Sequence, residues 1–436
     1  MFNGRMYIVS SPALASQVQR ASASLSFERL TVEVAPRLLG LGEKTKRILA
    51  DTEVAAPSLN QIIQPLLGPA EMVEICRKQL EHFTAFFQAM TDDLETDLFK
   101  LVKQEMTEAS MNTFFGPHNP FVVHPDLVNE FWNWENGIVP YAVGVLPQWT
   151  ARRAYKGINR VADGFEEYLS KGRQSQACEL IRRRQKLHDD TGLTYAEQAR
   201  LEVGFSLGIN VNASVTAFWV LNNIFSRPTL LAELREEIQR NAVLAPNTIS
   251  FRALRDSCPL LNSIYRETMR FCAPMSTTRY VLEDTVIADS YFLRKDSIVQ
   301  IIGGLLHADE ALWGPDVDKF NSRRFIYTPN GSKTSEDGAV LASKEGQLHP
   351  AAFRAFGGGT SLCPGRHFAQ MEILSFTAAF VMGFDMSPPT GLTKVAWDPP
   401  MAEKTFLIAA IKPHKELNVK VSRRQGMEDL QWLLQY

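Results

Sequence analysis

Between residues 194 and 227 nothing in the chain would end a helix. Thr194-Tyr195-Ala196-Glu197 is a capping box, in which the threonine side chain satisfies one free backbone N–H and the glutamate reaches back to another. No proline interrupts the apolar run until Arg227-Pro228, so the pattern predicts about 30 helical residues, roughly 45 Å of rod. A rod of that length crosses a whole domain, and the rest of the chain must pack around it. The 436 residues would suggest about three domains by length alone. However, no repeat, low-complexity tract or linker separates independent cores. With 45% hydrophobic and 22% charged residues the chain can bury one large core. The expectation is therefore a mainly α fold with small β-sheets, one large domain over residues 1–436.

Further helices are expected over 12–22, 72–87, 94–112, 151–169, 229–240 and 257–271, where apolar residues recur at helical spacing. The charge run at 182–190 reads as a solvated connection. Strands are expected at the opening 1–10 and at 285–288 and 297–302, with Asp296 at the turn between the last two. The stretch 327–349 is polar and turn-rich, a long surface loop, and 397–421 has strand character.

Charge excludes some partners. With 46 basic against 48 acidic side chains, a formal net charge of −2, nothing points to nucleic acid. Five cysteines without C-x-x-C spacing argue against a disulfide framework or a zinc site and suit a reducing compartment. No stretch approaches the roughly 18 apolar residues of a membrane span.

One of those cysteines keeps informative company. Phe356-Gly357-Gly358-Gly359-Thr360-Ser361-Leu362-Cys363-Pro364-Gly365 has the spacing F-x-x-G-x-x-x-C-x-G, followed by an apolar helical run from Phe368 to Leu374. Three successive glycines allow tight turns and close backbone approach. Cys363 thus falls at a loop-to-helix junction, where free N–H groups and the helix dipole favour negative charge. The thiol is expected to ionise readily there, and the thiolate is the metal-binding form. A lone cysteine is more often a small buried hydrophobe, but the fixed spacing around this one sets it apart.

The run resembles the cysteine-ligand loop of the cytochrome P-450 family of haem-thiolate enzymes, and other segments resemble that family in the same order. Glu267 and Arg270 form an E-x-x-R pair on one helix face, with 93 residues from Arg270 to Cys363. Between them, Lys319 to Phe325 resembles the family's F-x-x-x-R-F segment. The resemblance implies that Arg324 joins Glu267 and Arg270 in a buried structural charge triad. It further implies that Cys363 is the iron ligand and that Arg279, Phe356, Gly359, Ser361 and Gly365 contact the haem, Arg279 by binding a propionate. His307 falls in the family's H-x-D segment and reads as structural; the other seven histidines show no metal-site spacing.

Two departures stand out. Ser361 occupies the position, two before the cysteine, where the family commonly has a basic residue. The W-x-x-x-R helix that supplies another propionate ligand is not visible in the first hundred residues. How the second propionate is held is therefore open.

On the long helix, Leu201, Phe205, Gly208, Asn212, Val215 and Trp219 share one side, expected to be the distal face. Gly208 costs up to about 1 kcal/mol relative to alanine, which predicts a close approach to the backbone there. Counting back from Pro228 puts Asn212 where the family has its proton-guiding threonine, and Val211 where it has an acid. The stretch Asn212 to Trp219 resembles the branch holding prostacyclin synthase and the bile-acid sterol hydroxylases, and the cysteine run resembles fungal secondary-metabolism members.

The resemblance implies haem b as cofactor, NADPH electrons delivered through a separate NADPH-cytochrome reductase, and a small apolar or polycyclic substrate into which oxygen is inserted. The missing acid–alcohol pair also motivates a haem-thiolate isomerase or dehydratase working without dioxygen or NADPH, and a third reading is a non-catalytic haem-binding protein. Eukaryotic members usually begin with a membrane helix and one further helix, which the opening residues do not match. Membrane association, at the cytoplasmic face of the endoplasmic reticulum, is expected only for a form that carries such an anchor, and a cytoplasmic location for the sequence as it stands.

Overall fold

The long helix runs Tyr195–Phe225, and its Thr194 capping box is formed on both sides. The computed structural model describes residues 4–51, 68–326, 333–334, 340–341, 348–403 and 409–436. Against the long helix pack Leu98–Phe115, Arg152–Ser170, Pro259–Cys272 and Arg366–Gly383, the last being the helix that follows Cys363. Aromatic rings knit this bundle together. Phe83 of the helix Pro69–Ala89 meets Phe376 at 5.2 Å, Phe114 meets Phe368 at 5.2 Å, and Phe99 meets Phe218 at 5.4 Å, all edge-to-face. Each fully buried phenylalanine contributes about 1.5–3 kcal/mol by burial alone, so the bundle is held mainly by its apolar faces.

The long helix is also apolar enough to cross a membrane by length and composition, contrary to the expectation that no stretch comes near that limit. It is instead a core helix, with 67% of its most apolar window buried inside the protein.

Small sheets flank the bundle. One has four strands in the order Met6–Val9, Ile298–Ile301, Thr277–Val281 and Leu25–Ser26. Met6 pairs in parallel with Ile298, and Thr277 pairs antiparallel with Ile301. Along Thr277–Val281 alternate residues are buried, which puts Thr277, Arg279 and Val281 on one inward face. Asp296 has φ +60 at the turn, as its position predicted.

Several local expectations need correction. The charge run 182–190 is helical, within Glu179–Asp190. It is an amphipathic helix whose buried face, Leu180, Ile181, Arg184, Gln185 and His188, is mostly polar and so hides from a hydrophobic-period reading. Arg184 donates to Glu202 of the long helix at 3.0 Å, and burial together with the Arg184 charge pushes His188 down to about 3.

Residues Leu94–Asp97 form a strand with Asn418–Arg423, and the helix starts only at Leu98 because Asp97 accepts the Phe99 and Lys100 N–H groups as its cap. The expected helix over 257–271 is found as Pro259–Cys272, and a separate short helix, Phe251–Ser257, precedes it, the two parted where Pro259 forces Cys258 out of helical geometry. Among the described residues of the tail 397–421, Asn418 onward is strand, apart from an isolated Met401–Pro413 bridge. Residues 404–408 lie outside the described residues. So does most of 327–349, of which 333–334 and 340–341 pair as a short antiparallel ribbon.

Candidate haem-thiolate site

The cysteine run folds as a tight loop onto the helix Arg366–Gly383. Gly357 and Gly359 have φ +75 and +64, values side-chain-bearing residues rarely adopt. At Gly359 an added Cβ would also sit 2.9 Å from the Gln19 side chain, so the loop lies directly on the helix Pro12–Arg20. The loop closes on itself: the Cys363 N–H donates to the Phe356 carbonyl at 3.0 Å, and the Ser361 hydroxyl donates to the Gly358 carbonyl at 3.1 Å. Gly365 precedes the helix, and the nearest atom to a Cβ built there is the Cys363 sulfur, at 3.9 Å.

Of the five cysteines, Cys76, Cys178, Cys258 and Cys272 are buried and Cys363 alone is partly exposed. The expectation that its thiol ionises readily is corrected. Burial pushes it up, and the Gly365 and Arg366 N–H groups and the Arg366 charge pull it down without reversing the shift.

Glu267, Arg270 and Arg324 come together with side chains at most 2% exposed. Arg270 donates to both Glu267 oxygens at 2.8 Å, and Arg324 Nε donates to Oε1 at 2.9 Å. Asp316, not foreseen from sequence, accepts from Arg324 at 2.9 Å and brings the cluster to charge balance. Arg324 also donates to the Trp313 carbonyl, and Arg270 to the His307 carbonyl.

His307 links this cluster to the cysteine loop. Its Nε2 accepts the Arg354 N–H at 2.7 Å, which leaves Nδ1 to donate to the Arg270 carbonyl at 2.8 Å. The ring stacks on Phe353 at 5.5 Å.

Arg279 is 1% exposed, and its Nη2 donates to the Ser361 hydroxyl at 2.7 Å. The loop serine and the strand arginine are thus brought together two residues from Cys363. The residue the sequence reading passed over is Arg354, also 1% exposed, whose Nη2 donates to Thr277 Oγ1 at 2.7 Å. A signal was present: Arg354 is the only charge in Ala351-Ala352-Phe353-Arg354-Ala355-Phe356, where a buried run needs a reason to hold one.

The face of the long helix departs from expectation at Gly208. No described atom lies within 4 Å of a Cβ built there, so none of the described residues makes the expected approach. The close approach is one turn earlier, at Gly204, where Leu39 would stand 2.9 Å from an added Cβ. Phe205 packs on Phe114 and Phe115. Val215 is buried, and the Trp219 indole N–H donates to the Ile411 carbonyl at 2.7 Å. Asn212 is half-buried and its Oδ1 accepts the Ala410 N–H at 2.8 Å. This leaves Nδ2 without a partner among the described residues.

The donor set fits a haem. It offers one accessible sulfur on a glycine loop, buried guanidinium groups suited to carboxylates, and a long helix with an open stretch at Gly208. A comparison with known families decides the matter: the cytochrome P-450 family model matches residues 2–415. The chain belongs to the cytochrome P-450 family.

Relatives of this P-450 include the cytochrome P-450 monooxygenase nodJ of Hypoxylon pulicicidum, 28% identical over 98% of this chain and 83% of the relative. Cholesterol 7-alpha-monooxygenase of Cricetulus griseus is 26% identical over 72% of this chain and 64% of that enzyme. A bifunctional cytochrome P-450/NADPH–P-450 reductase of Alternaria alternata is 24% identical over 76% of this chain and 30% of the relative. The fold is that of the family, mainly α with small sheets, and the cofactor is haem with thiolate-ligated iron. The relatives are named monooxygenases, and neither the isomerase nor the non-catalytic reading finds support among them.

Proposed function

We propose that Cys363 is the proximal thiolate of a P-450 monooxygenase that inserts oxygen into an apolar or polycyclic small molecule of fungal secondary metabolism. The observation that carries this reading is the partly exposed Cys363 sulfur on a glycine loop at a helix start, within a chain of this family. A relative named for cholesterol and others from fungi support the substrate class. The bifunctional relative supports NADPH reduction through a partner reductase. When bound, the haem supplies oxygen activation, with thiolate electron density favouring O–O cleavage.

The chain's own residues orient and protect the group. Phe356, Gly359 and Gly365 shape the loop, and Arg279 with Ser361 takes a propionate. Glu267, Arg270 and Arg324 hold the scaffold behind it. Substrate would lie along the stretch of the long helix at Gly208, where no described residue comes within 4 Å of an added Cβ. In this reading residues 1–436 act as one haem domain, and membrane association belongs to a form that carries an anchor.

Asn212 keeps one hydrogen-bond donor, Nδ2, without a partner among the described residues while Oδ1 is tied to the Ala410 N–H. The two roles separate by substitution. Asn212→Asp keeps an acceptor for Ala410 but removes the amide donor, whereas Asn212→Ala removes both. Both variants should retain haem and lose more NADPH electrons as hydrogen peroxide, by roughly two- to tenfold, the scale of about one charge-neutral hydrogen bond. Unchanged coupling in both would remove Asn212 from the proton path.

The function is tested by following NADPH, dioxygen and product together with a partner reductase. The monooxygenase reading expects all three to change in step; product formed with neither reagent consumed would contradict it and favour isomerisation.

A further inference from the structure

Two buried cations sit side by side without an acid. Arg279 and Arg354 are each 1% exposed, yet among the described residues neither has the carboxylate partner that Arg270 and Arg324 share in Glu267. The hydrogen-bond partners of Arg354 among the described residues are all neutral. Nη2 donates to Thr277 Oγ1 at 2.7 Å, and with the Gln19 amide turned carbonyl-inward, Nη1 and Nη2 donate to its oxygen. Nε has no partner among the described residues. Arg279 reaches Ser361 and the Thr278 carbonyl, and Glu28, the acid whose charge acts on it, is exposed.

The two guanidinium groups share a locale. Thr277, which holds Arg354, and Arg279 lie two residues apart on the inward face of one strand. Burial and then the Arg279 charge push Arg354 down to about 10. A buried charge whose partners are all neutral is unfavourable, and two of like sign more so. The arrangement calls for negative charge from outside the chain, of about the magnitude that the two carboxylates of a haem carry.

Ser361 stands at the loop position where a base would serve, and the segment 52–67 contains no Lys, Arg or His.

We propose that Arg354 pairs with one haem propionate while Arg279 pairs with the other. The inference rests on the haem reading above. The backbone supports it, because the Arg354 N–H is fixed on His307, which is itself bonded to the Arg270 carbonyl. The guanidinium is therefore presented from the same scaffold that carries the cysteine loop. Its planar fork matches a carboxylate in a way a lysine ammonium does not.

The test compares two haems in one set of proteins. Wild type, Arg354→Met and Arg354→Lys are purified with haem b, and separately reconstituted with haem dimethyl ester, whose carboxylates are masked. Transfer of each haem to excess apomyoglobin is then timed. Arg354→Met should release haem b on the order of ten- to a hundredfold faster than wild type, the scale of one lost charge-assisted hydrogen bond. It should release the dimethyl ester at the wild-type rate, and Arg354→Lys should fall between for haem b.

Equal acceleration of both haems would show a merely structural arginine and overturn the proposal, as would no change for either. Should Arg354→Met fail to fold, the Arg354→Lys difference between the two haems decides in the same way. A wild-type protein that takes up neither haem would instead sink the haem reading itself.

Discussion

Glu267→Gln is expected to abolish most haem-loaded protein rather than to yield a slow enzyme. Glu267 accepts four N–H groups: two from Arg270, one from Arg324 and the backbone N–H of Asn321 at 3.2 Å. The amide keeps the shape but removes the charge and turns one acceptor into donors facing donors. Arg270 is then left buried without an acid among the described residues, and Arg324 keeps Asp316 as its one remaining acid among them. Breaking such a buried pair costs about 3–5 kcal/mol, a large share of the 5–15 kcal/mol that holds a typical domain folded. The damage should spread to the cysteine loop through His307, which joins the Arg270 carbonyl to the Arg354 N–H. Arg323→Ala is the matched control. Arg323 pairs with Glu233 with both side chains about two-fifths exposed, at 38% and 42%, and its loss should cost no more than about 1 kcal/mol. Equal haem content and melting temperature in Glu267→Gln and Arg323→Ala would refute the structural role.

Cys363→Ser is the other large effect, and it should act on chemistry with the fold intact. The side chain is partly exposed, and the hydrogen bond that positions it uses the backbone, Cys363 N–H to Phe356 carbonyl, which serine keeps. A serine hydroxyl neither ionises readily nor offers a soft sulfur to iron. Product formation should fall by at least about a thousandfold, the scale of losing a group at the reacting centre. Cys258→Ser gives the contrast. Its thiol is fully buried and pushed up to about 12 by burial and then by Glu237, so the change should disturb packing while leaving the haem signature unaltered.

What the sequence made legible was whatever depends on near neighbours or on spacing. The capping box at Thr194, the break at Pro228 and the glycine turns of the cysteine loop are all local, and each appears where the residues predicted it. The residues Glu267, Arg270 and Arg324 were legible only through the resemblance to the family's segments, and the fourth member, Asp316, was not, because acidic residues in loops are common. The helix Glu179–Asp190 was misread because its buried face carries Arg184, Gln185 and His188, of which Arg184 pairs with Glu202 and Gln185 with Gln198, both on the long helix. Arg354 illustrates the same limit. Its partners Thr277, Gln19 and His307 are far away in sequence, so only the oddity of one charge in an apolar run could flag it. The Asn212 contact with Ala410 spans 198 residues and was invisible to helical periodicity. The ionisation of Cys363 went wrong for a different reason: junction amides are readable from sequence, but depth of burial is not.

The central claim is that the Cys363 sulfur binds haem iron, and the carbon monoxide spectrum of the reduced protein tests it most directly. The wild-type protein should show the strongly red-shifted band of a thiolate-ligated haem, and Cys363→Ser should lose that band. A wild-type spectrum of the imidazole-ligated kind, or a thiolate band that survives in Cys363→Ser, would contradict the assignment.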